Sequence, residues 1–374
     1  MDVWDIPVID HHAHNLLKPD AWKALPFAAI FTESREPAMI GHHARHSLFF
    51  RRSLRDIAAV LSCEASEAVV VARRGELGLD ALAARFLQAS NLAAVYLDDG
   101  FLPEAVLPWE WHGRFVPVRR ILRIEHLAEK LLETEVKFDL FLEKFRRHLD
   151  PPPADVVALK SIAAYRSGLG ISPVSVIQAR TRFNDLKEQP AISARRLAAK
   201  PLIDFLVMET LTLAAKHQLP VQLHTGLGDP DLDLREANPL HLRYLLEAPE
   251  WREAPIVLLH AGYPFVREAG YLAAVYPQVY VDFGLTVPFV SIAGMQSVLR
   301  QLLELAPTTK LLFSSDAHQS PELFYLGAKW GREVLAQVLR EAVRDGDLVA
   351  GEADVAAWRI LHDNALECYG RTPV

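Results

Sequence analysis

Short apolar, β-rich runs alternate with longer helical patterns along this chain of 374 residues. Eight such runs are short enough to favour strands over helices. They cover residues 7–14, 92–100, 118–126, 155–163, 220–226, 255–262, 278–284 and 310–318. Strands that alternate with helices form a parallel sheet covered by helices, and eight such units are typical of a (β/α)8 barrel. We therefore expect one α/β domain, a single (β/α)8 barrel over residues 1–374.

Two parts of the chain interrupt this regular alternation. Residues 16–90 have a long helical and irregular pattern between the first two runs. This pattern predicts a helical insertion after the first strand. The segment from Asp354 onward predicts a C-terminal helix that closes the fold. The Pro-rich residues 150–155 predict a turn into the fourth strand, not a linker between domains.

Charge and cysteine content restrict the class of protein. The formal net charge is -7 and there is no basic stripe, which argues against a nucleic-acid partner. Cys63 and Cys368 are the only cysteines, so we expect no disulfide framework. There is no apolar run of the roughly 20 residues needed to span a bilayer, and the first ten residues do not have the pattern of a signal peptide. We expect a cytoplasmic protein without a membrane partner.

Three histidines lie in the segment VIDHHAHN, residues 8–15. In an extended strand, residues i and i+2 point to the same face, so we expect His12 and His14 to project together and His11 to face the other way. Two neutral imidazoles at the end of a strand can bind one divalent cation. The alternative is a polar strand end with surface histidines.

Polar residues with catalytic or metal-binding chemistry also follow most of the later runs. Because the carboxyl ends of all barrel strands meet on one face, we expect these side chains to lie close together. The candidates are His12 and His14 after the first run, Arg123 and Glu125 after the third, Lys160 after the fourth, His224 after the fifth, His260 after the sixth and Asp316 after the eighth.

This pattern of strand ends resembles the metal site of the amidohydrolase superfamily. The short loops and the ending NALECYG resemble its amidohydrolase 2 branch, which contains hydrolases and non-oxidative decarboxylases. The segment ALKSIAAYRSGL, residues 158–169, resembles the amidohydrolase domain of FluG-like and nodulin-like proteins. That domain is often fused to a glutamine-synthetase-like domain, so the resemblance implies that such a partner would act in trans here.

The resemblance implies a metal site formed by His12, His14, His224 and Asp316. Their nitrogen and oxygen donors suit zinc first, and also manganese or iron. In this superfamily the aspartate also accepts a proton from the attacking water. The alternatives are a core histidine at position 224 and a helix N-cap at Asp316.

Two residues decide between one metal ion and two. In two-metal members the sixth-strand histidine, here His260, binds the second ion; in one-metal members it polarises the substrate. Lys160 could be carboxylated and bridge two ions, or bind a substrate carboxylate as a cation. Its alternative is a solvent-facing lysine at a strand end.

Other polar residues are weaker candidates. Arg123, Tyr165 and Arg166 could bind an acidic substrate, although each arginine could equally form a structural salt bridge. Asp282 is a candidate partner for a ligating histidine. Two further groups of polar residues have mainly structural interpretations. The insertion histidines His42, His43 and His46 are interpreted as a polar surface, with a lid over the site as the alternative. Asp98 and Asp99 are interpreted as a turn.

The first functional hypothesis from these residues is a metal-dependent hydrolase. An activated water would attack an amide or related C–N bond of a small, carboxylate-bearing substrate, and γ-glutamyl-type amides follow by analogy with the FluG-like domain. The alternative on the same scaffold is a metal-dependent non-oxidative decarboxylase. A non-catalytic binding module stabilised by a metal is the alternative from another class. The sequence leaves open whether the chain forms a homo-oligomer.

Overall fold

Eight parallel strands form one sheet in which every strand pairs with its neighbours in the sequence. The computed structural model describes residues 2–188 and 196–370. The strands are β1 Val8–His14, β2 Leu92–Asp98, β3 Val118–Arg123, β4 Val156–Ser161, β5 Val221–Leu223, β6 Ile256–Leu258, β7 Val279–Asp282 and β8 Leu311–Leu312. All eight predicted strands are confirmed. β8 is shorter than predicted.

Backbone hydrogen bonds join the first strand to the segment that follows the eighth. The His14 amide donates to the Ala317 carbonyl at 2.7 Å, and the Asp316 amide donates to the His12 carbonyl at 3.1 Å. These bonds curl the sheet into the predicted barrel, and they place Asp316 beside the two histidines of β1.

Helices surround the barrel and also form the predicted insertion. The insertion contains α1 Pro19–Ala24, α2 Pro37–Gly41, α3 Leu48–Leu61 and α4 Glu67–Ser90. The later helices are α5 Trp109–His112, α6 Ile124–Thr134, α7 Phe138–Leu149, α8 Val176–Glu188, α9 Lys200–His217, α10 Arg243–Glu247, α11 Val266–Val275, α12 Thr286–Phe289, α13 Ile292–Leu303, α14 Glu322–Asp345, α15 Ala350–Trp358 and α16 Asn364–Tyr369. None of the helices in the described ranges is long and apolar enough to cross a membrane.

The long helices of the insertion begin at serine caps. The Ser47 side chain accepts a hydrogen bond from the Phe50 amide at the start of α3, and Ser66 accepts one from the Val69 amide at the start of α4. Such caps satisfy amides that have no partner within the helix. α4 ends at Ser90, and its C-cap Asn91 has a left-handed φ of 49° and leads directly into β2.

A bulge in β1 changes which histidines face the inside of the barrel. Asp10 is opposite Val95 and Ala13 is opposite Leu97, so β1 has one residue more than β2 over this stretch. His11 is buried, and its ring lies within 2.8 Å of the Tyr369 hydroxyl. The prediction that His11 faces the other way from His12 and His14 is therefore wrong, because the bulge turns consecutive histidines inward.

The C-terminal helix closes the end of the barrel away from the site. Ala365, Cys368 and Tyr369 of α16 share a small apolar cluster with strand residues such as Ile9 and Ala94. Both of these residues lie in the first halves of their strands. The predicted closing helix is confirmed, and the carboxyl ends of the strands remain open to the cavity described next.

Candidate metal centre

Two histidines of β1 and the aspartate after β8 converge on one point. Oδ1 of Asp316 lies 3.1 Å from Nε2 of His12 and 3.2 Å from Nε2 of His14. All three residues are at least nine-tenths buried. The predicted HxH pair and the eighth-strand aspartate are therefore neighbours in space.

A second pair of histidines lies beside this point, at the ends of β5 and β6. Nε2 of His260 lies 3.2 Å from Nδ1 of His224, and the other ring nitrogen of His224 lies 3.0 Å from the Leu227 carbonyl oxygen. The His260 ring centroid is 5.9 Å from that of His12. His260 therefore faces the first cluster, whereas both ring nitrogens of His224 already have polar neighbours.

Lys160 is a buried cation within the same cluster. Its Nζ lies 2.9 Å from Nε2 of His12 and 3.7 Å from Oδ2 of Asp98. Burial lowers the pKa of Lys160 to about 8. The predicted alternative of a solvent-facing lysine is wrong, because only 2% of Lys160 is exposed. β4 directs the side chain into the barrel.

The donor atoms fit a divalent cation. Donor atoms of His12, His260 and Asp316 lie within 4.8 Å of one another, as do those of His12, His14 and Asp98. Oδ1 of Asp316 is buried and faces Nε2 of both β1 histidines without a well-directed hydrogen bond to either. A cation would satisfy this carboxylate oxygen, and imidazole nitrogens with a carboxylate are the donors that zinc and related ions prefer.

The electrostatics of the cluster also favour metal binding. Burial, and then the charge of Lys160, lowers the pKa of His12 to about 3. Burial likewise lowers the pKa of His14 and of His260. All three imidazoles are therefore neutral near pH 7, which is the form that binds metals. Burial alone would raise the pKa of Asp316, but the neighbouring histidines outweigh it and keep the carboxylate ionised.

His260 and Asp316 adopt unusual backbone conformations. Their φ angles are 68° and 50°, in the left-handed region that L-residues rarely occupy. The Asp282 carboxylate accepts a hydrogen bond from the His260 amide at 2.5 Å, and the Thr286 hydroxyl donates to the His260 carbonyl at 2.8 Å. These bonds hold His260 in a conformation that directs its ring toward the site.

A close approach of two loops brings His224 to His260. Gly226 has a φ of 65°, and a Cβ at this position would lie 2.3 Å from the Gly262 carbonyl carbon. Only glycine fits, because any side chain would push the loops after β5 and β6 apart. The glycine of the HTG segment therefore has a defined role in assembling the site.

A cavity of about 710 Å³ opens above these residues. Its lining includes His14, Lys160, His224, His260 and Asp316, together with side chains of the insertion and of α6. A volume of this size accommodates a small-molecule substrate. The cavity lies at the carboxyl ends of the strands, where barrel enzymes have their active sites.

Comparison with known proteins establishes the family of the chain. The sequence model of the amidohydrolase family matches residues 179–371, more than half of the chain. The chain belongs to the amidohydrolase family. The resemblance predicted from the strand-end residues is thereby confirmed.

Relatives of known name agree with this amidohydrolase assignment. Protein fluG of Emericella nidulans is 36% identical over 399 residues, which cover 97% of this chain and 45% of FluG. This chain thus spans about half the length of that curated relative. A Lactobacillus casei structure, provisionally named a metal-dependent hydrolase, is 28% identical with a TM-score of 0.88, and the match covers 98% of this chain and 96% of that one. Uronate isomerase of Thermotoga maritima shares the fold. It is 17% identical with a TM-score of 0.65, and the match covers 98% of this chain and 95% of that one.

The three predicted substrate ligands of this amidohydrolase all line the cavity. The Arg123 guanidinium binds both carboxylate oxygens of Asp98 at 2.6–3.1 Å. Arg166 lies 2.9 Å from the Glu129 carboxylate. The Tyr165 hydroxyl accepts a hydrogen bond from the backbone and keeps its hydrogen for another acceptor. Both arginines are thus paired with carboxylates of the protein, and substrate binding by these three residues stays a prediction.

The weaker candidates have mainly structural positions. Glu125 is buried and accepts hydrogen bonds from the Ser161 hydroxyl and the Ile162 amide, so it fixes the end of β4. Asp282 supports His260 through its backbone amide, not through the ring. Asp99 pairs with Arg120 at 3.2 Å. The insertion histidines His42, His43 and His46 are exposed and do not line the cavity, which agrees with the polar-surface interpretation.

Asp98 belongs to the site, although its sequence context predicts only a turn. It is completely buried and lies 3.9 Å from Nδ1 of His14. Burial raises the pKa of Asp98, but Arg123 and Lys160 outweigh it and lower that pKa below its ordinary value. Its position directly after the second apolar run is the same signal that identified the other strand-end residues.

Proposed function

We propose that this amidohydrolase is a metal-dependent hydrolase that activates water to attack an amide or related C–N bond. The observation that carries the proposal is the convergence of His12, His14 and Asp316 within 3.2 Å at the base of a substrate-sized cavity. Neutral imidazoles and an ionised carboxylate supply both metal ligands and a proton acceptor there.

The proposed metal ligands are His12, His14, His224 and Asp316, with zinc as the first candidate and manganese or iron as alternatives. When bound, a divalent ion lowers the pKa of a coordinated water and polarises a carbonyl group. His224 would exchange one of its present neighbours for the ion, since both of its ring nitrogens are engaged. Carboxylation of Lys160 would add a ligand for a second ion.

Two residues would move or stabilise charge in the reaction. Asp316 is ionised and adjacent to both histidines of β1, so its carboxylate can accept the proton of the attacking water. His260 faces the same space, and its ring would stabilise negative charge on the carbonyl oxygen. Asp282 and Thr286 hold the His260 backbone, which fixes the direction of that ring.

We infer that the substrate carries a carboxylate and is a γ-glutamyl-type amide. The 36% identity with FluG over 97% of this chain supports the comparison with FluG-like domains on which the γ-glutamyl analogy rests. Lys130 is an exposed cation on the cavity wall. Arg166 is paired with Glu129, but its Nε has no hydrogen-bond partner among the described residues and would be available to a substrate carboxylate.

Reconstitution with one metal at a time tests the proposal. Protein loaded with zinc, manganese or iron should release amine from γ-glutamyl amides, and elemental analysis should give one or two ions per chain. The His12→Ala variant should lose both properties, whereas the His42→Ala variant, altered at an exposed histidine, should retain them. Release of carbon dioxide from a carboxylate-bearing substrate without amine release would favour the decarboxylase. Tight metal binding without turnover of either substrate class would favour the binding module.

A further inference from the structure

Glu33 is an unpaired carboxylate of the insertion that lines the cavity. Its Oε1 atom is buried and has no hydrogen-bond partner among residues 2–188 and 196–370. Burial raises the pKa of Glu33; among its charged neighbours, His318 and Arg35 lower this pKa, whereas the carboxylates of Asp316 and Asp229 raise it. Neither His318 nor Arg35 forms a direct ion pair with Glu33 in the described ranges, and a buried carboxylate is strongly disfavoured unless it is paired directly.

The other acidic side chains of the cavity wall differ from Glu33. Each either has a basic partner or is exposed to solvent. The partners are Arg166 for Glu129 at 2.9 Å, Arg35 for Asp229 at 2.5 Å and Arg196 for Asp231 at 2.5 Å; Glu133 is exposed, and Asp316 belongs to the metal centre. Glu33 is thus the cavity carboxylate that is left for a charged group from outside the protein.

A metal ion is a poor candidate for this missing cation. Within the part of the chain that the structure describes, no group of three clustered His, Cys, Asp or Glu donor atoms includes Glu33. Divalent ions need several donors at once. An ammonium group needs fewer, because one charge-assisted hydrogen bond to a carboxylate already gives strong recognition.

We propose that Glu33 binds the ammonium group of the substrate and so selects amino-acid amides over amides that carry only a carboxylate. The cavity then recognises a dipolar molecule, with Glu33 for the ammonium and the basic residues Lys130 and Arg166 for the carboxylate. This inference rests on the proposed function and narrows its substrate class. It also gives the insertion a part in substrate recognition.

Binding of two product-like acids tests the inference without any turnover. L-Glutamate and glutarate differ only in the ammonium group. Calorimetric titration of the metal-loaded protein should show about tenfold to a hundredfold tighter binding of L-glutamate, the range expected for one hydrogen bond between charged groups. Glu33→Gln should remove this preference. Glu36→Gln, at an exposed carboxylate of the same segment, should retain it.

Thermal unfolding separates recognition from a structural role. Glu33→Gln removes an unpaired charge and keeps the shape of the side chain, so its Tm should equal or exceed that of the wild type. A lowered Tm together with an unchanged preference for L-glutamate would overturn the inference. So would equal binding of both acids by the wild type, or binding of neither.

Turnover of a matched pair of amides distinguishes failure of the inference from failure of the proposed function. γ-Glutamyl-p-nitroanilide and glutaryl-p-nitroanilide again differ only in the ammonium group. Hydrolysis of both with equal KM would support the hydrolase and overturn the role of Glu33. Selective binding of L-glutamate without hydrolysis of either amide would support the role of Glu33 and contradict the hydrolase. We expect Glu33→Gln to raise KM for the γ-glutamyl substrate about tenfold or more and to leave its kcat nearly unchanged.

Discussion

His260 and Asp316 are held in left-handed backbone conformations that ordinarily cost about 1–3 kcal/mol each. Such strain persists only where the surroundings determine it. For His260 two hydrogen bonds do this. Its backbone amide donates to the Asp282 carboxylate, and its carbonyl accepts from the Thr286 hydroxyl. For Asp316 it is the hydrogen bond that its backbone amide donates to the His12 carbonyl. At the scale of single residues, stability is therefore given up at the two positions that we assign to proton transfer and charge stabilisation.

The Asp316 carboxylate can be tested by a substitution that keeps its shape. Asp316→Asn retains an oxygen donor but removes the proton acceptor. We expect the metal to be at least partly retained and kcat to fall about a hundredfold or more, the usual scale for one acid–base group. Steady-state kinetics and elemental analysis of the same preparation check this. Near-native turnover in the Asn variant would show that Asp316 does not accept the proton.

The histidines of β1 should determine metal occupancy. His12→Ala removes a proposed metal ligand, and with it the imidazole that lies 3.1 Å from the Asp316 carboxylate. We expect metal affinity to fall by at least roughly a hundredfold, since even residues that only support a ligand change affinity by about 10–100-fold. The measurement is competition with a chelator. Full occupancy in this variant would refute the assignment.

Lys160 should respond to bicarbonate in a pH-dependent way. Its pKa of about 8 leaves roughly a tenth of the amine neutral at pH 7, and this fraction rises with pH. Only the neutral amine reacts with carbon dioxide, so bicarbonate should increase metal loading more strongly at pH 8.5 than at pH 6.5. Lys137→Ala, at an exposed lysine that does not line the cavity, should behave like the wild type, and Lys160→Ala should not respond.

The opposite results would identify another role for this lysine. If bicarbonate has no effect and Lys160→Ala mainly raises KM for an anionic substrate, the lysine binds substrate as a cation. Unchanged metal content, KM and kcat in Lys160→Ala would exclude both roles.

At the scale of elements, the insertion is fastened to the barrel through its longest helix. Arg74 of α4 donates to the Glu322 carboxylate at 2.5 Å and to the Ser320 hydroxyl at 3.1 Å. Both members of the ion pair are buried. Glu322 begins α14, shortly after Asp316 in the sequence, so this pair links the insertion to the loop that carries the candidate base.

Removing one member of this buried pair should be costly. Arg74→Met leaves Glu322 buried and unpaired, and we expect the free energy of unfolding to fall by about 3–5 kcal/mol. Arg73→Met, which breaks an exposed pair with Glu76, should cost less than about 1 kcal/mol. Urea unfolding of both variants measures the difference. Equal effects would mean that the buried pair does not fasten the insertion.

The sequence predicted which strands and helices form better than it predicted the backbone geometry within them. Apolar runs and helical patterns identified the eight strands and the insertion, because burial determines those patterns. The β1 bulge adds one residue without changing composition, so the direction of His11 was predicted wrongly. The left-handed φ of Asp316 depends on a contact with β1, about 300 residues away in the chain, and no local pattern encodes it. Asp98 was missed for another reason: it ends the second apolar run like the other strand-end residues, but two consecutive aspartates are also typical of a turn.

At the scale of the whole molecule, the fold does not depend on the candidate metal centre. An apolar core extends through the barrel wall, the surrounding helices and the insertion, whereas the centre involves a few residues at one end of the strands. A structural metal would be needed mainly in a domain that could not bury such a core. The size of the core therefore favours a catalytic role for a bound ion over a structural one.

Metal removal should consequently leave a folded protein of lower stability. Binding at a hundredfold excess over Kd contributes about 2.7 kcal/mol, so we expect chelation to lower Tm by roughly 3 °C and to leave the circular dichroism spectrum unchanged. His12→Ala should show the lower Tm with or without added metal, because it lacks a ligand. Loss of secondary structure on chelation would instead identify the ion as a structural element, and this amidohydrolase would then match the metal-stabilised binding module better than the hydrolase.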